Sequence, residues 1–268
     1  MSFDVALQFA HEALTRMQEN GGTPRASASA LAKLRESRAP LPVAASPVTA
    51  EAVIPSVARR GGDRASRLAA MREPAMVCTL CPHLAAARTQ VVFGVGNPDA
   101  ELMFVGEAPG EDEDLRGEPF VGKAGQLLTK IIETMGFTRS EIYIANVLKC
   151  RPNMPPGKSG NRKPLPDEMA TCLPYLRQQI DIIEPRAIVA LGATAMEGLL
   201  GETAPMNQLR GRWHEFNGIP LMATYHPAYL LRNQALGEKR KVWEDMLLVL
   251  ERLEKPISEK QRNYFLTK

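Results

Sequence analysis

Six carboxylates crowd one short stretch of this chain: Glu107, Glu111, Asp112, Glu113, Asp114 and Glu118 all lie within LMFVGEAPGEDEDLRGEPFVGKAG, Leu102 to Gly125. Acids at that density are too many for a phosphate cradle. Such a loop is built for a ligand. Leu102 to Val105 is a short apolar run expected as a strand covered on both faces, and Gly106, Pro109 and Gly110 break it sharply. In open parallel sheets the ligand crevice lies outside the carboxyl ends of the strands, which is where these acids fall.

The second chemical set is sulfur. The chain has four cysteines, Cys78, Cys81, Cys150 and Cys172. The two-residue gap of Cys78-Thr-Leu-Cys81 lets two thiolates face one ion or cluster, and Cys150 and Cys172 complete a four-sulfur set. Zinc is usually held by two tight knuckles. Here only the first pair is tight, which favours an iron-sulfur cluster over zinc while leaving both open. The plainer alternative is two buried thiols beside one redox pair. Two structural disulfides are disfavoured by the reducing compartment expected below.

The elements that must carry these groups are legible as an alternation. Strands are expected at Val91 to Phe93, Leu102 to Val105, Ile142 to Asn146, Ala187 to Leu191 and Leu221 to Thr224. Helices are expected at Ala124 to Gly136, Pro166 to Ile183, Ala193 to Leu200 and Lys239 to Leu253. Such alternation implies a parallel sheet with helices on both faces. Ahead of it, Phe3 to Met17 has a loosely amphipathic helical pattern, followed by a tract rich in Ala, Ser, Pro and Arg to about Gly62, expected as a disordered linker. The division is therefore 1–72 as helix and linker, 73–255 as the globular domain and 256–268 as a tail.

Composition narrows the class. At 268 residues with a net charge of +3 there is no apolar run of membrane-spanning length, and the N-terminus lacks a secretory pattern, so a cytoplasmic location is expected. Residues 1–72 hold 10 Lys/Arg against 6 Asp/Glu, leaving 23 against 24 in the rest. A nearly neutral core that binds nucleic acid must do so through local patches.

Five motifs occur in one order: Gly106-Glu-Ala-Pro-Gly110 with Glu111 to Asp114, Pro119-Phe-Val-Gly-Lys-Ala-Gly125, Asn146-Val-Leu-Lys-Cys-Arg-Pro152, Leu191-Gly-Ala193 and His226-Pro-Ala-Tyr-Leu-Leu-Arg232, together with the cysteines. Over Met76 to Leu253 they closely resemble the family 4 uracil-DNA glycosylases. The resemblance implies a three-layer α/β/α sandwich on a short central parallel sheet, a 4Fe-4S cluster on the four cysteines, and excision of uracil from single- or double-stranded DNA. A nucleoid-associated monomer is expected. The N-terminal extension, which the resemblance does not cover, is a candidate docking segment for a repair or replication partner, or a terminus without a specific role.

Roles follow residue by residue. Chemistry on a base requires extruding it into a pocket that reads its edge and stacks on its face. The resemblance makes Phe120 the stacking platform and Asn146 the reader, whose amide can accept from uracil N3–H and donate to O4. It makes His226 the donor to the leaving uracil at O2. Glu107 would position water or stabilise the sugar cation, although no aspartate follows Gly106, which leaves open which carboxylate handles the water. Glu113 aligns with a second functional acid that contacts substrate, the backbone at Ala108 would reach a uracil carbonyl, and Asp112 and Asp114 read as a solvated acidic face. Tyr229, Leu230 and Arg232, with Leu231, look like a wedge for the minor groove, Leu230 foremost. Lys123, Lys149, Arg151, Arg210 and Arg212 are candidate phosphate contacts. The 21 residues between Cys150 and Cys172, including MPPGKSGNRKP, read as a long, flexible basic loop near DNA. They lack the histidine with which a related subgroup traps the excised sugar, so turnover is expected. The rival reading is a non-catalytic, metal-stabilised DNA-binding or polymerase-associated module.

Overall fold

A computed structural model describes residues 63–155 and 157–266, so the expected N-terminal helix and nearly all of the linker lie outside the described residues. Among these residues the elements run α1 (Arg64–Met76), α2 (Pro82–Ala87), β1 (Val95–Gly96), β2 (Leu102–Gly106), α3 (Glu111–Arg116), α4 (Lys123–Met135), β3 (Tyr143–Asn146) and α5 (Pro166–Ile183). They continue with β4 (Ala187–Leu191), α6 (Ala193–Leu200), α7 (Met206–Leu209), β5 (Trp213–Phe216), β6 (Ile219–Thr224), α8 (Pro227–Arg232), α9 (Leu236–Arg252) and α10 (Glu259–Arg262). No helix among the described residues is long and apolar enough to cross a membrane.

The six strands lie in the order β1-β3-β2-β4-β6-β5. The four central strands are parallel, as expected, while β1 and β5 add antiparallel edges, so the sheet is mixed. The β5 edge has a local cause. Asn217-Gly218, both at positive φ (50° and 82°), closes a two-residue hairpin that pairs Phe216 with Ile219, and this dipeptide favours such turns because both positions need a left-handed backbone. Val91 to Phe93 is buried but forms no strand, its Val92 N–H donating to Lys149 O at 2.8 Å.

Period-two alternation in β2 sends Met103 and Val105 to one face and Leu102 and Phe104 to the other. The first face is covered by α1, α2, α5 and α6, the second by α4 and α9, giving the three layers. Two expected boundaries move. Asp63 caps α1 by accepting from Ser66 N–H at 2.7 Å, and Leu68 and Met71 are buried in the first layer, so the globular fold begins before residue 73. At the other end Trp243 Nε1 donates to Gln261 O (2.6 Å), and Gln261 Nε2 to Thr134 O (2.8 Å). Residues after 255 are thus docked on the domain because they satisfy polar groups of two of its helices.

Candidate active site and cysteine cavity

Four loops leave the carboxyl ends of the parallel strands side by side, and β2 sits between the strand that follows it in sequence and β4. That reversal is where doubly wound sheets open a crevice. Val147 and Leu148 N–H donate to the Gly106 and Glu107 carbonyls, both at 3.0 Å, tying the β3 exit to the β2 exit. Gly192 N–H donates to Thr224 O at 2.9 Å and does the same for β4 and β6.

At the β3 exit, Asn146 is 2% exposed and its side-chain Oδ1 is buried without a hydrogen-bond partner. Leaving a buried acceptor unmade costs about 1–3 kcal/mol, so such an atom marks a strained structure or a ligand site. Its neighbours decide for the site. A Cβ placed on Gly106 would lie 2.4 Å from Asn146 Oδ1 and 2.5 Å from Phe120 Cζ, so only glycine lets the amide and the ring approach each other across β2. Phe120 is held at φ 55°, a left-handed conformation of the kind that concentrates at functional sites and costs a bulky side chain about 1 kcal/mol or more. Its turn is locked from behind, since a Cβ on Gly125 would overlap Phe120 O at 1.8 Å.

The His226 ring lies 5.6 Å from the Phe120 ring, tilted by 32°. Pro227 opens α8, and His226 Nδ1 accepts from Ala228 N–H at 3.1 Å. That bond leaves the proton of the neutral imidazole on Nε2. Burial, with the Arg232 charge adding to it, lowers the histidine pKa to about 4, so the ring is a neutral Nε2–H donor at neutral pH. Glu107, half-buried at the β2 exit, has its pKa raised by burial, against a hydrogen bond from Thr194 and the charge of Lys163. Thr194 was given no role from sequence. Its position in the first turn of α6, after the Leu191-Gly-Ala motif, was the available signal.

Asn146 and Phe120 thus meet at Gly106 with the His226 ring against Phe120, while Glu107 follows Gly106 at the same strand exit beside Thr194, with Ala108 half-buried after it. Other expectations are corrected. Glu113 is engaged by backbone: Oε1 accepts from Val121 N–H and Gly122 N–H (both 2.9 Å) and Oε2 from Gly110 N–H (3.0 Å), so its first task is to build the Phe120 turn. Asp114 is buried, not solvated, and accepts from Thr89 N–H with both oxygens. Leu230 is 5% exposed and packs inward because α8 rests on α4, whereas Leu231 is 40% exposed and is the apolar tip. Tyr229 stacks on Tyr225 at 4.6 Å and donates to Glu238 Oε2, while Arg232 is exposed.

Among the cations, Lys123 and Arg212 are exposed. Arg151 reaches Gly160 O and Glu111. Lys149 is buried, and Arg210 is engaged by buried Asp245, which also accepts from Thr224, so neither is a phosphate contact. The segment between Cys150 and Cys172 is clamped at its ends, Arg162 bonding Asn153 O and Oδ1 as well as buried Glu168.

The four cysteines are free thiols. All line one cavity with Leu80, Leu84, Leu148 and Tyr175. Among the described residues no group of three or more His, Cys, Asp or Glu is arranged to hold a metal ion. A single zinc ion would need sulfurs about 3.8 Å apart around bonds of about 2.3 Å, whereas a larger cluster spreads its ligands. The donor set fits a metal centre chemically. Burial pushes the Cys81 and Cys150 thiols up and Cys172 up to about 12, so a bound cation is what would ionise them. Arg88 Nη1 donates to Cys150 Sγ at 3.1 Å and Lys149 N–H to Cys172 Sγ at 3.2 Å, contacts suited to thiolate.

Comparison with known proteins agrees with this geometry. The profile described as the uracil DNA glycosylase superfamily matches residues 93–247. The chain is similar to a type-4 uracil-DNA glycosylase of Thermotoga maritima, 46% identical over 171 residues, covering 63% of this chain and 85% of that protein. Similar too are type-4 uracil-DNA glycosylases of Archaeoglobus fulgidus (42% over 172 residues; 61% and 83%) and Sulfurisphaera tokodaii (44% over 184 residues; 65% and 79%). An α/β/α sandwich whose crevice pairs an orphaned amide with an aromatic ring and a neutral histidine, in a sequence so matched, belongs to the uracil DNA glycosylase superfamily, on its type-4 branch.

Proposed function

We propose that this protein flips uracil out of DNA and hydrolyses its N-glycosidic bond, leaving free uracil and an abasic site. The observation that carries the proposal is the buried, unpartnered Asn146 Oδ1 beside the Phe120 ring. Uracil N3–H is the donor that acceptor lacks, and the amide nitrogen can serve O4. Cytosine presents an acceptor at N3 and a donor at N4, so the same amide rejects it.

Bond cleavage leaves negative charge on uracil and positive charge on the sugar. His226 Nε2–H stabilises the first at O2 as a preorganised neutral donor, needing no proton transfer from a strong acid. Glu107, as a carboxylate held by Thr194, stabilises the second and orders the attacking water. Leu231 on α8 fills the gap left by the flipped base, with Arg232 on the backbone. Cys78, Cys81, Cys150 and Cys172 would hold a 4Fe-4S cluster, which would supply a covalent cross-link among the segment entering α2, the loop after β3 and helix α5. The enzyme acts as a cytoplasmic, nucleoid-associated monomer on single- or double-stranded DNA, with its N-terminal extension engaging a repair or replication partner. The polymerase-associated alternative is disfavoured by a complete set of pocket residues.

The test is release of uracil from a uracil-containing oligonucleotide by purified protein, with His226→Ala beside it. Removing such a donor should slow release by about 10²–10³-fold. No release by the wild type, or equal release by both proteins, contradicts the proposal.

A further inference from the structure

Lys149 is 2% exposed, although lysine is almost never fully buried unless its charge is paired. Among the described residues no carboxylate is hydrogen-bonded to it. Its Nζ donates instead to the backbone carbonyl of Asn146 at 2.9 Å and to Gln179 Oε1 at 2.5 Å. Gln179, itself fully buried on α5, is held in turn, its Nε2 donating to Phe93 O at 2.9 Å and to Tyr143 Oη at 3.2 Å. The lysine main chain is fixed at both ends, through Val92 N–H to its carbonyl and through its own N–H to Cys172 Sγ. A fully buried lysine whose amine meets a backbone carbonyl and a side-chain amide is an expensive way to fill space, so its placement calls for a role.

The geometry points to that role. We propose that Lys149 is a positioning residue for base selection: anchored by Gln179, it pins the Asn146 peptide and so holds the reading amide against uracil. The inference rests on the reading of Asn146 given above and adds to it the device that sets its orientation. Side chains adjust to their backbone, and a reading amide must be held to within a few tenths of an ångström. The β3 exit has a ladder partner at Gly106 on one side only. On the side toward α5 the Asn146 carbonyl is held, among the described residues, by the Lys149 side chain. Because Lys149 N–H also meets Cys172, the base reader and the cysteine cavity share one residue.

Single-turnover rate constants, which do not depend on the active fraction, test this in the full-length protein. Lys149→Met should slow uracil release by roughly 10–100-fold, the scale of a displacement of about 1 Å at a reacting centre. In an Asn146→Ala background the same change should cost less than about threefold, because the residue it acts through is gone. Gln179→Leu, which releases the lysine without altering it, should reproduce both results. Equal costs of Lys149→Met in the two backgrounds, or none in either, overturn the proposal, and if that variant does not melt cooperatively the Gln179→Leu pair decides by the same criteria. Wild-type protein in the same assay separates the two readings, since its failure to release uracil contradicts the glycosylase assignment itself.

Discussion

Helix α3 and the exit of β3 stand on either side of Gly106, and both are rich in polar groups, yet they treat them in opposite ways. On α3, Glu113 spends both oxygens on three backbone amides and Asp114 spends both on Thr89. At the β3 exit the Asn146 backbone carbonyl is held by Lys149 while its side-chain oxygen is left without a partner. The difference teaches how to divide building from acting. Saturated groups fix the shape of a site, and a buried group kept unsatisfied is where a ligand completes the hydrogen bonding. Glu107 lies between the two regimes, half-buried, partnered by Thr194 and with its pKa raised.

Glutamate 107 offers the sharpest way to break the distinction. If it acts through its charge, Glu107→Gln should lower kcat by about 10²-fold while leaving the melting temperature nearly unchanged. Its pH dependence has a definite sign. The carboxylate is lost as pH falls through its pKa, so the acid limb of wild-type kcat should lie above the ordinary glutamate value and should vanish in the variant. His226, lowered to about 4, adds no loss above that range. A limb that persists in Glu107→Gln would place the titrating group elsewhere.

Glu113→Ala tests the opposite class. Freeing three amides should destabilise by about 2 kcal/mol and lower Tm by roughly 4–8 °C, with activity falling about tenfold through the loosened Phe120 turn. Loss of activity with an unchanged Tm would return Glu113 to the substrate. The smallest effect is expected on α8. Leu231→Ala should leave stability within about 0.5 kcal/mol and weaken release from duplex DNA only a few-fold. Leu230→Ala should instead cost about 2 kcal/mol of stability, as removal of a buried leucine does. Measured in one melting series, the pair distinguishes tip from anchor.

Much of this was legible in the sequence for identifiable reasons. Pro166–Ile183 and Ala193–Leu200 were bounded correctly because a first-turn proline and terminal glycines punctuate them. The strand at Trp213–Phe216 was missed although Asn217-Gly218 announced its hairpin, since WHEF lacks an apolar alternation. Val91 to Phe93 misled in the other direction, an apolar run buried without a ladder. Within the site, Phe120, Asn146 and His226 were singled out through the family resemblance of their motifs, and residue type alone is silent on satisfaction. Nothing in EDED separates a saturated carboxylate from a free one, and nothing in NVLKC says that its lysine points inward. Those facts arise only when the exits of β2 and β3 are brought together.

The central claim is that Asn146 Oδ1 waits for the N3–H of uracil. Release of uracil and of N3-methyluracil from otherwise identical oligonucleotides, by wild type and by Asn146→Ala, tests it most directly. A methyl group at N3 removes the donor and leaves the acceptor unpaired, so the wild type should prefer uracil by about 10⁴-fold, and the preference should collapse in the variant. Comparable release of both bases by the wild type would contradict the account.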